Sequence, residues 1–306
     1  MDVTIVIPTY NGAHKIPNLL DSLESQTFTD FQIMIVIDGS TDNTIEVINR
    51  YKNHFKQLDY IVQENGGRAK VRNTGARFAS GELLIFLDDD LILSKDCLQI
   101  HYDHHIHRKQ SILTGSAIEE LNDTSKESNK FKQFLSYKWI KKLEGHESEA
   151  LTANNIFVTA ANFSIRKSDF LNLDGFDERL KDAEDFDFAV RAFKAGLHLY
   201  FNFKAYAVHN ESVSFVTFIK RLRQYNIAQK HLISLKPWLV EQGFTKNANQ
   251  KPKGLKSKIF KIFASSFWIR SADQDLFSFL PERLRFKLYD LIVTSNSIFY
   301  PDKVSL

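Results

Sequence analysis

Four short apolar runs, residues 3–7, 31–37, 60–62 and 83–87, alternate with segments whose apolar residues recur every three or four positions. Runs rich in β-branched and aliphatic residues, bounded by turn residues, suit strands buried on both faces; the spacing between them suits helices. Leu19, Leu20 and Leu23 mark the first helix, with Pro17 in its first turn. Ile45, Ile48 and Tyr51 mark the second, and Val71 and Phe78 lie on the third. Strand–helix alternation four times over predicts an α/β fold with a mostly parallel sheet covered by helices. In such sheets ligands bind beyond the carboxyl ends of the strands. The polar residues Thr9-Tyr10-Asn11, Asp38, Gly66-Gly67 and Asp88-Asp89-Asp90 all follow strands, so they are expected at one edge of the sheet.

Asp88-Asp89-Asp90 is the most informative of these loci. Three adjacent carboxylates at the tip of a buried strand suffer desolvation and mutual repulsion unless a cation or water relieves them. Side chains alternate along a strand, which places Asp88 and Asp90 on the same side. Two same-side carboxylates suit a hard divalent cation shared with a phosphate. A solvated Asp-rich turn is the plainer alternative. Arg68, Lys70 and Arg72 lie at a helix N-terminus, where the helix dipole disfavours cations, and that suggests an anionic partner.

Further along, residues 119–130 are polar and are expected to be a loop, and residues 156–165 a strand region. A helix over 186–193 opens on the acidic cluster Asp182, Glu184, Asp185 and Asp187. A strand over 200–208 stops at His209, and residues 215–235 form a long amphipathic helix. Residues 242–254 are linker-like, and 255–269 and 284–293 suit two more helices. The pattern divides the chain into residues 1–235 and a helical extension, 236–306. That extension holds 12 Lys+Arg against 6 Asp+Glu, so all of the chain's excess charge of +3 resides there. Cys97 is the only cysteine, which excludes an intrachain disulfide and a cysteine-based metal site and suits a reducing, cytoplasmic setting. The first residues enter a strand pattern with no signal-like apolar core, and no apolar run is long enough to cross a bilayer.

The ordered set Val3-Thr4-Ile5-Val6-Ile7-Pro8-Thr9-Tyr10-Asn11, Ile37-Asp38-Gly39-Ser40-Thr41-Asp42, Arg72-Asn73-Thr74-Gly75, Gly81-Glu82 and Phe86-Leu87-Asp88-Asp89-Asp90 resembles glycosyltransferase family 2. Gly175-Phe176-Asp177-Glu178, Glu184-Asp185 and His209 extend the likeness to about residue 230. The resemblance implies the GT-A fold, a Rossmann-like, mostly parallel sheet flanked by helices. It also implies inverting, metal-dependent transfer of a sugar from a nucleotide-diphosphate sugar to an acceptor hydroxyl.

Within that resemblance Asp185, beside Glu184, is the catalytic base. Like charges around it raise its proton affinity, although acids at a helix N-terminus are also common caps. Pro8, Thr9, Tyr10, Asp38, Arg68, Arg72, Asp88 and Asp89 correspond to the nucleotide-binding positions, Asp38 as reader of a uracil ring. A turn before a helix cap is the other role for Asp38. Asp88, Asp90 and His209 correspond to the site of a divalent cation, Mn2+ or Mg2+. A UDP-sugar is the expected donor and a glycan or lipid-linked molecule the expected acceptor, in bacterial surface polysaccharide synthesis; no nucleic acid is expected as a partner. Processive relatives carry a Gln-x-x-Arg-Trp motif and membrane helices, which this sequence lacks, so addition of one or a few sugars is expected.

Two other readings stand beside this one: an inactive nucleotide-sugar binding module, and a membrane-surface scaffold acting through its basic tail. Lys251, Lys253, Lys256, Lys258 and Lys261 are interleaved with Leu255, Ile259, Ile262, Phe263 and Phe267. That pattern suits a helix lying in a membrane interface. It equally suits a helix packed on the catalytic domain or on a second subunit of a homodimer.

Overall fold

The computed structural model describes residues 1–119, 121, 125–209, 213–246 and 252–301. The chain divides into two compact units. One comprises the described residues of Met1–Ile118 and Lys138–Asn210, the other those of Glu119–Tyr137 and Glu211–Leu306.

The first unit opens with β1 (Val3–Thr9), α1 (Ile16–Glu24), β2 (Phe31–Asp38), α2 (Thr44–Tyr51), β3 (Leu58–Gln63), α3 (Arg68–Phe78) and β4 (Leu83–Leu87). These are the four strands and three helices expected from the alternation. The chain continues through β5 (Leu91–Leu93), α4 (Cys97–His107), β6 (Ser111–Glu119) and α5 (Glu127–Ile140), most of which belongs to the second unit. Then come β7 (Asn162–Arg166), α6 (Lys167–Asn172), α7 (Glu184–Lys194) and β8 (His198–His209). The eight strands form one sheet in the order β3-β2-β1-β4-β7-β6-β8-β5. β1, β2, β3 and β4 run parallel, whereas β7 is antiparallel to both β4 and β6, and β5 is antiparallel to β8. The sheet is therefore mixed, parallel through β1–β4 and antiparallel where β7 enters it.

Alternation along the strands fills both faces of the sheet. Ile5, Ile7, Ile85 and Leu87 join one core with Leu19, Leu20 and Leu23 of α1. Val6, Leu84 and Phe86 join the other, with Phe163, Phe170, Phe176 and Phe188. Phe86 stacks on Phe163 at a centroid distance of 4.6 Å and meets Phe170 at 5.1 Å. This two-sided burial is why β4 appears as an unbroken apolar run and β1 and β2 as nearly unbroken ones. β1 extends past the expected stop at Pro8. Its pairing with β4 covers only Val3–Val6, so a residue without an N–H is tolerated beyond it.

In the second unit, α8 (Phe215–Leu235) is followed by α9 (Trp238–Glu241), α10 (Gly254–Phe263), α11 (Ser266–Asp273) and α12 (Glu282–Thr294). Phe131, Phe215, Ile219, Ile269, Phe286, Tyr289 and Ile292 form its core. Asp273 Oδ1 accepts the Phe215 N–H at 2.6 Å, at the start of α8. Helix α8 thus packs with the C-terminal helices, and the division of the units falls near residue 210 rather than at the expected 235. Three further expectations differ. Residues 127–130, expected in a loop, are the first turn of α5; residues 120 and 122–124 of that segment lie outside the described residues. The strand expected over 156–165 is confined to β7. The helix expected over 255–269 is two helices, α10 and α11, separated at Ala264-Ser265. Among the described residues no helix is long and apolar enough to cross a membrane.

Candidate active site

The carboxyl ends of β1, β2 and β4 and the N-terminus of α3 enclose a cavity of about 340 Å3. Pro8, Thr9 and Tyr10 reach it from β1, and Asp38 from β2. Asn65, Gly67, Arg68, Val71 and Arg72 come from the loop after β3 and from α3, and Asp88, Asp89 and Asp90 follow β4. All eight expected nucleotide-binding residues line this space. Lys15 lines it as well. It precedes a helix marked chiefly by its leucines, and its place became visible only once β1 and β4 were neighbours.

Asp38 shapes the far wall. Its Oδ1 accepts hydrogen bonds from Gln63 Nε2 at 2.7 Å and the Gly66 N–H at 2.9 Å, and its Oδ2 accepts the Gly67 N–H at 2.9 Å. Asn65 Nδ2 donates to the Asp38 carbonyl at 3.0 Å. Gly67 adopts φ +84, a conformation that suits glycine, so the chain can turn beneath the carboxylate into α3.

The three aspartates do not continue the strand. They form a turn between β4 and β5, so the alternation argument for Asp88 and Asp90 does not apply, and each carboxylate meets a different partner. Asp88 Oδ1 lies 2.5 Å from Arg72 Nη2. Asp89 Oδ2 accepts from Thr9 Oγ1 at 2.6 Å. Burial pushes the Asp89 carboxyl up to about 6, against the lowering effect of Thr9 and Lys15. A Cβ at Gly12 would come within 2.7 Å of Asp89 Oδ2, so glycine there admits the Thr9–Asp89 contact. Asp90 Oδ1 lies 3.4 Å from His209 Nδ1 at the end of β8, where His209 pairs in register with Leu91. Burial favours the protonated form of Asp90, but His209 and Lys15 outweigh it and hold the carboxyl below its ordinary range. Asp90 Oδ1 is buried and accepts no hydrogen bond of good geometry. Among the described residues no group of three or more His, Cys, Asp or Glu side chains is gathered as a metal site.

The acidic cluster around α7 is sorted by its cations. Arg72 Nη1 holds Glu184 Oε1 at 3.0 Å, Arg68 lies 3.6 Å from Asp182, and Arg191 Nε is 2.9 Å from Asp187. Among the described residues no basic side chain forms an ion pair with Asp185. Its Oδ1 accepts the Phe186 N–H at 2.7 Å. Burial, and after it the neighbouring Glu184 carboxylate, raise the Asp185 carboxyl from 3.8 to about 7. Ala183, just before α7, adopts φ 63, a left-handed conformation unusual for alanine. The motifs at Arg72-Asn73 and Gly175-Phe176 also meet: Asn73 Oδ1 accepts the Phe176 N–H at 2.9 Å, and Asn73 Nδ2 donates to the Phe176 carbonyl at 2.8 Å. Asp185, Glu184 and His209 do not line the cavity; Glu184 and His209 touch residues that do.

A mixed sheet flanked by helices, with its polar loci gathered at the carboxyl ends of the parallel strands, is the GT-A arrangement. The chain belongs to Glycosyl transferase family 2, whose model matches residues 4–173. It is 30% identical over 247 residues to a hyaluronan synthase of Pasteurella multocida, covering 79% of this chain and 24% of that protein. It is 28% identical over 205 residues to the poly(ribitol-phosphate) beta-N-acetylglucosaminyltransferase TarS of Staphylococcus aureus, covering 63% of this chain and 32% of that one. The chain thus spans about a quarter to a third of the length of these relatives. Among solved structures, S. aureus TarS 1–349 in complex with UDP-GlcNAc matches with a TM-score of 0.56 and 21% identity, covering all of this chain and 93% of that one. The mannosyltransferase PcManGT from Pyrobaculum calidifontis, in complex with GDP-Man and Mn2+, matches with a TM-score of 0.62 and 17% identity, covering 99% and 88%. At these identities the structural likeness establishes the shared fold.

Proposed function

We propose that this chain transfers a sugar from a nucleotide-diphosphate sugar to an acceptor hydroxyl, with inversion at the anomeric carbon. The observation that carries this reading is the sorting of carboxylates around Arg72. Asp88 and Glu184 are bound to it, while Asp185, adjacent to Glu184, has a proton affinity raised to about 7. A general base works best when its pKa lies near the working pH. Asp185 takes the proton of the acceptor hydroxyl. The freed oxygen attacks the anomeric carbon from the face opposite the diphosphate, and the bond to the leaving diphosphate breaks. Glu184, buried against Arg72, holds that guanidinium in place rather than sharing the proton transfer.

The cavity suits the nucleotide. An ionised carboxylate offers about four acceptor positions. Asp38 uses three within the protein, and the remaining one, on Oδ2, suits the ring N–H of uracil. Tyr10, 53% exposed at the rim, offers a face for the base to stack on. Lys15 and Arg68 provide positive charge for the diphosphate.

A divalent cation, Mn2+ or Mg2+, fits the corner where the unsatisfied Asp90 Oδ1 lies beside His209. Asp90 and His209 would hold it, with Asp88 flanking. Few protein ligands are usual where phosphate oxygens complete the coordination. Such a cation supplies positive charge that stabilises the departing diphosphate.

The names of the relatives, a hyaluronan synthase and a poly(ribitol-phosphate) N-acetylglucosaminyltransferase, support a glycan acceptor in bacterial surface polysaccharide synthesis. We assign catalysis to the unit containing the mixed sheet. The test is a screen of UDP-, GDP- and ADP-sugars with oligosaccharide acceptors, read as released nucleotide diphosphate. Release from a UDP-sugar that depends on acceptor and is lost in Asp185→Asn supports the reading; no release from any donor overturns it.

A further inference from the structure

Helix α10 has two apolar stripes with different fates, and no residue on it is fully buried. One stripe packs within its own unit. The Phe260 ring lies 4.9 Å from Phe299, the Phe263 ring lies 4.5 Å from Trp268, and Ser257 Oγ is 2.8 Å from the Tyr300 hydroxyl. The other stripe, Leu255, Ile259 and Ile262, is 74%, 39% and 61% exposed. At about 100° per residue these three fall within about 60° of one another around the helix. Exposed Lys258 and Lys261 follow the stripe on one side, and on the other, beyond Phe263, comes exposed Lys256, whose ammonium lies 5.8 Å from the centre of the Phe260 ring. No acidic residue occurs from 242 to 272, and the segment from 236 carries twice as many basic as acidic side chains. Lys251, which belongs to the same basic run, lies outside the described residues.

A narrow apolar stripe bordered by lysines is the pattern of a helix lying in the plane of a bilayer surface. A second copy of the chain is a poorer match. In a two-fold interface each patch meets itself, so the lysine borders would face lysine borders. We propose that this face of α10 docks on an anionic bilayer, with Leu255, Ile259 and Ile262 entering the headgroup–acyl boundary and Lys256, Lys258 and Lys261 meeting lipid phosphates. The inference is independent of the sugar-transfer reading.

The test is flotation of the full chain with vesicles of phosphatidylcholine alone and of phosphatidylcholine mixed with phosphatidylglycerol. The chain floats with the anionic vesicles only, and less as salt rises, because exposed charges are screened. Lys256→Gln/Lys258→Gln/Lys261→Gln lowers the partition about a hundredfold, at about fivefold per lysine. Leu255→Ser/Ile259→Ser/Ile262→Ser abolishes it while the circular dichroism spectrum and Tm stay unchanged. Failure of the unaltered chain to float at low salt overturns the proposal, and so does flotation that persists in both triple variants. A dimer in sedimentation that dissociates in the serine variant, without vesicle binding, also overturns it and assigns the face to a second copy.

Discussion

Arg72 Nη1 lies 3.0 Å from Glu184 Oε1, and the two side chains, 112 residues apart in sequence, are each only 5% exposed. The other arm of the guanidinium holds Asp88 at 2.5 Å, so one side chain ties the end of β4 to the first turn of α7. Glu184 and Asp88 keep Arg72 charged despite its burial, holding its pKa above the ordinary arginine value. Removing one partner of a buried ion pair leaves the other charge uncompensated, at a cost of about 3–5 kcal/mol. Arg72→Met is therefore expected to lose stability on that scale in urea denaturation. Arg72→Lys keeps the charge but not the two-armed geometry, and is expected to recover only part of it. An Arg72→Met midpoint equal to that of the unaltered chain would show that the bridge contributes nothing.

Asp185 makes a prediction about rate and another about pH. Asp185→Asn is expected to slow transfer by about two to four orders of magnitude, typical of a lost general base. Donor affinity in calorimetry should stay near its original value. Because the base acts when ionised, transfer in the unaltered chain should rise with pH through about 7. Stability runs the other way. The carboxyl ionises near 3.8 when unfolded and near 7 when folded, so between those values the folded state binds the extra proton. Stability is then lost as pH rises through that window. Asp185→Asn should consequently raise Tm relative to the unaltered chain more at pH 8 than at pH 5. A flat difference would mean that Asp185 titrates normally.

β1, β2 and β4 were legible because they are largely buried on both faces and announce themselves as apolar runs, whereas the edge strand β3, with Val62 exposed, shows only a short one. The cavity was legible for the same reason: Thr9, Asp38 and Asp88 all follow such runs. Helix α5 was not legible at its start, because its first turn, Glu127-Ser128-Asn129-Lys130, is polar and precedes Phe131. The break between α10 and α11 was hidden because Leu255, Ile259, Ile262, Phe263 and Phe267 keep a helical spacing across it. The pairing of Glu184 with Arg72 depends on tertiary contact alone. The sequence places Glu184 beside Asp185 in one acidic cluster; the fold distinguishes the two by pairing Glu184 with Arg72.

Asp38 combines a structural and a recognition role, and its replacement tests both. Asp38→Ala removes the acceptor of three hydrogen bonds that order residues 63–67. It is expected to weaken UDP binding by about 1–3 kcal/mol, the scale of one unsatisfied buried partner. Asp38→Asn retains one acceptor oxygen and is expected to bind UDP with intermediate affinity. If UDP, GDP and ADP bind the unaltered chain equally, Asp38 does not read the base.

The corner formed by Asp90 and His209 predicts dependence on a divalent cation. Chelator should abolish transfer, and Mn2+ or Mg2+ should restore it. Asp90→Asn and His209→Ala should each raise the Mn2+ concentration needed for half-maximal UDP binding in calorimetry, a readout that does not require turnover. Tight UDP binding in excess chelator, unchanged in both variants, would remove the cation from this corner.

The histidines of α4 predict how the fold responds to acid. His101 is fully buried, with Nδ1 2.7 Å from Ser164 Oγ and Nε2 2.9 Å from Asn162 Oδ1. Burial pushes it down to about 4, and His104 down to about 3 through burial and the nearby Arg108. Burial and the neighbouring His104 and His101 hold His105 well below its ordinary range. An unfolded histidine titrates near 6.5, so between that value and about 4 the unfolded chain binds protons that the folded chain does not. The contribution of these histidines to stability is therefore complete above pH 6.5 and falls as pH drops toward 4, opposite in sign to that of Asp185. A Tm series from pH 8 to pH 4 should decline across this window. His101→Gln, which lacks a group that gains charge there, should decline less steeply even where its starting Tm is lower. Parallel declines in the two proteins would assign the acid sensitivity to groups other than this histidine.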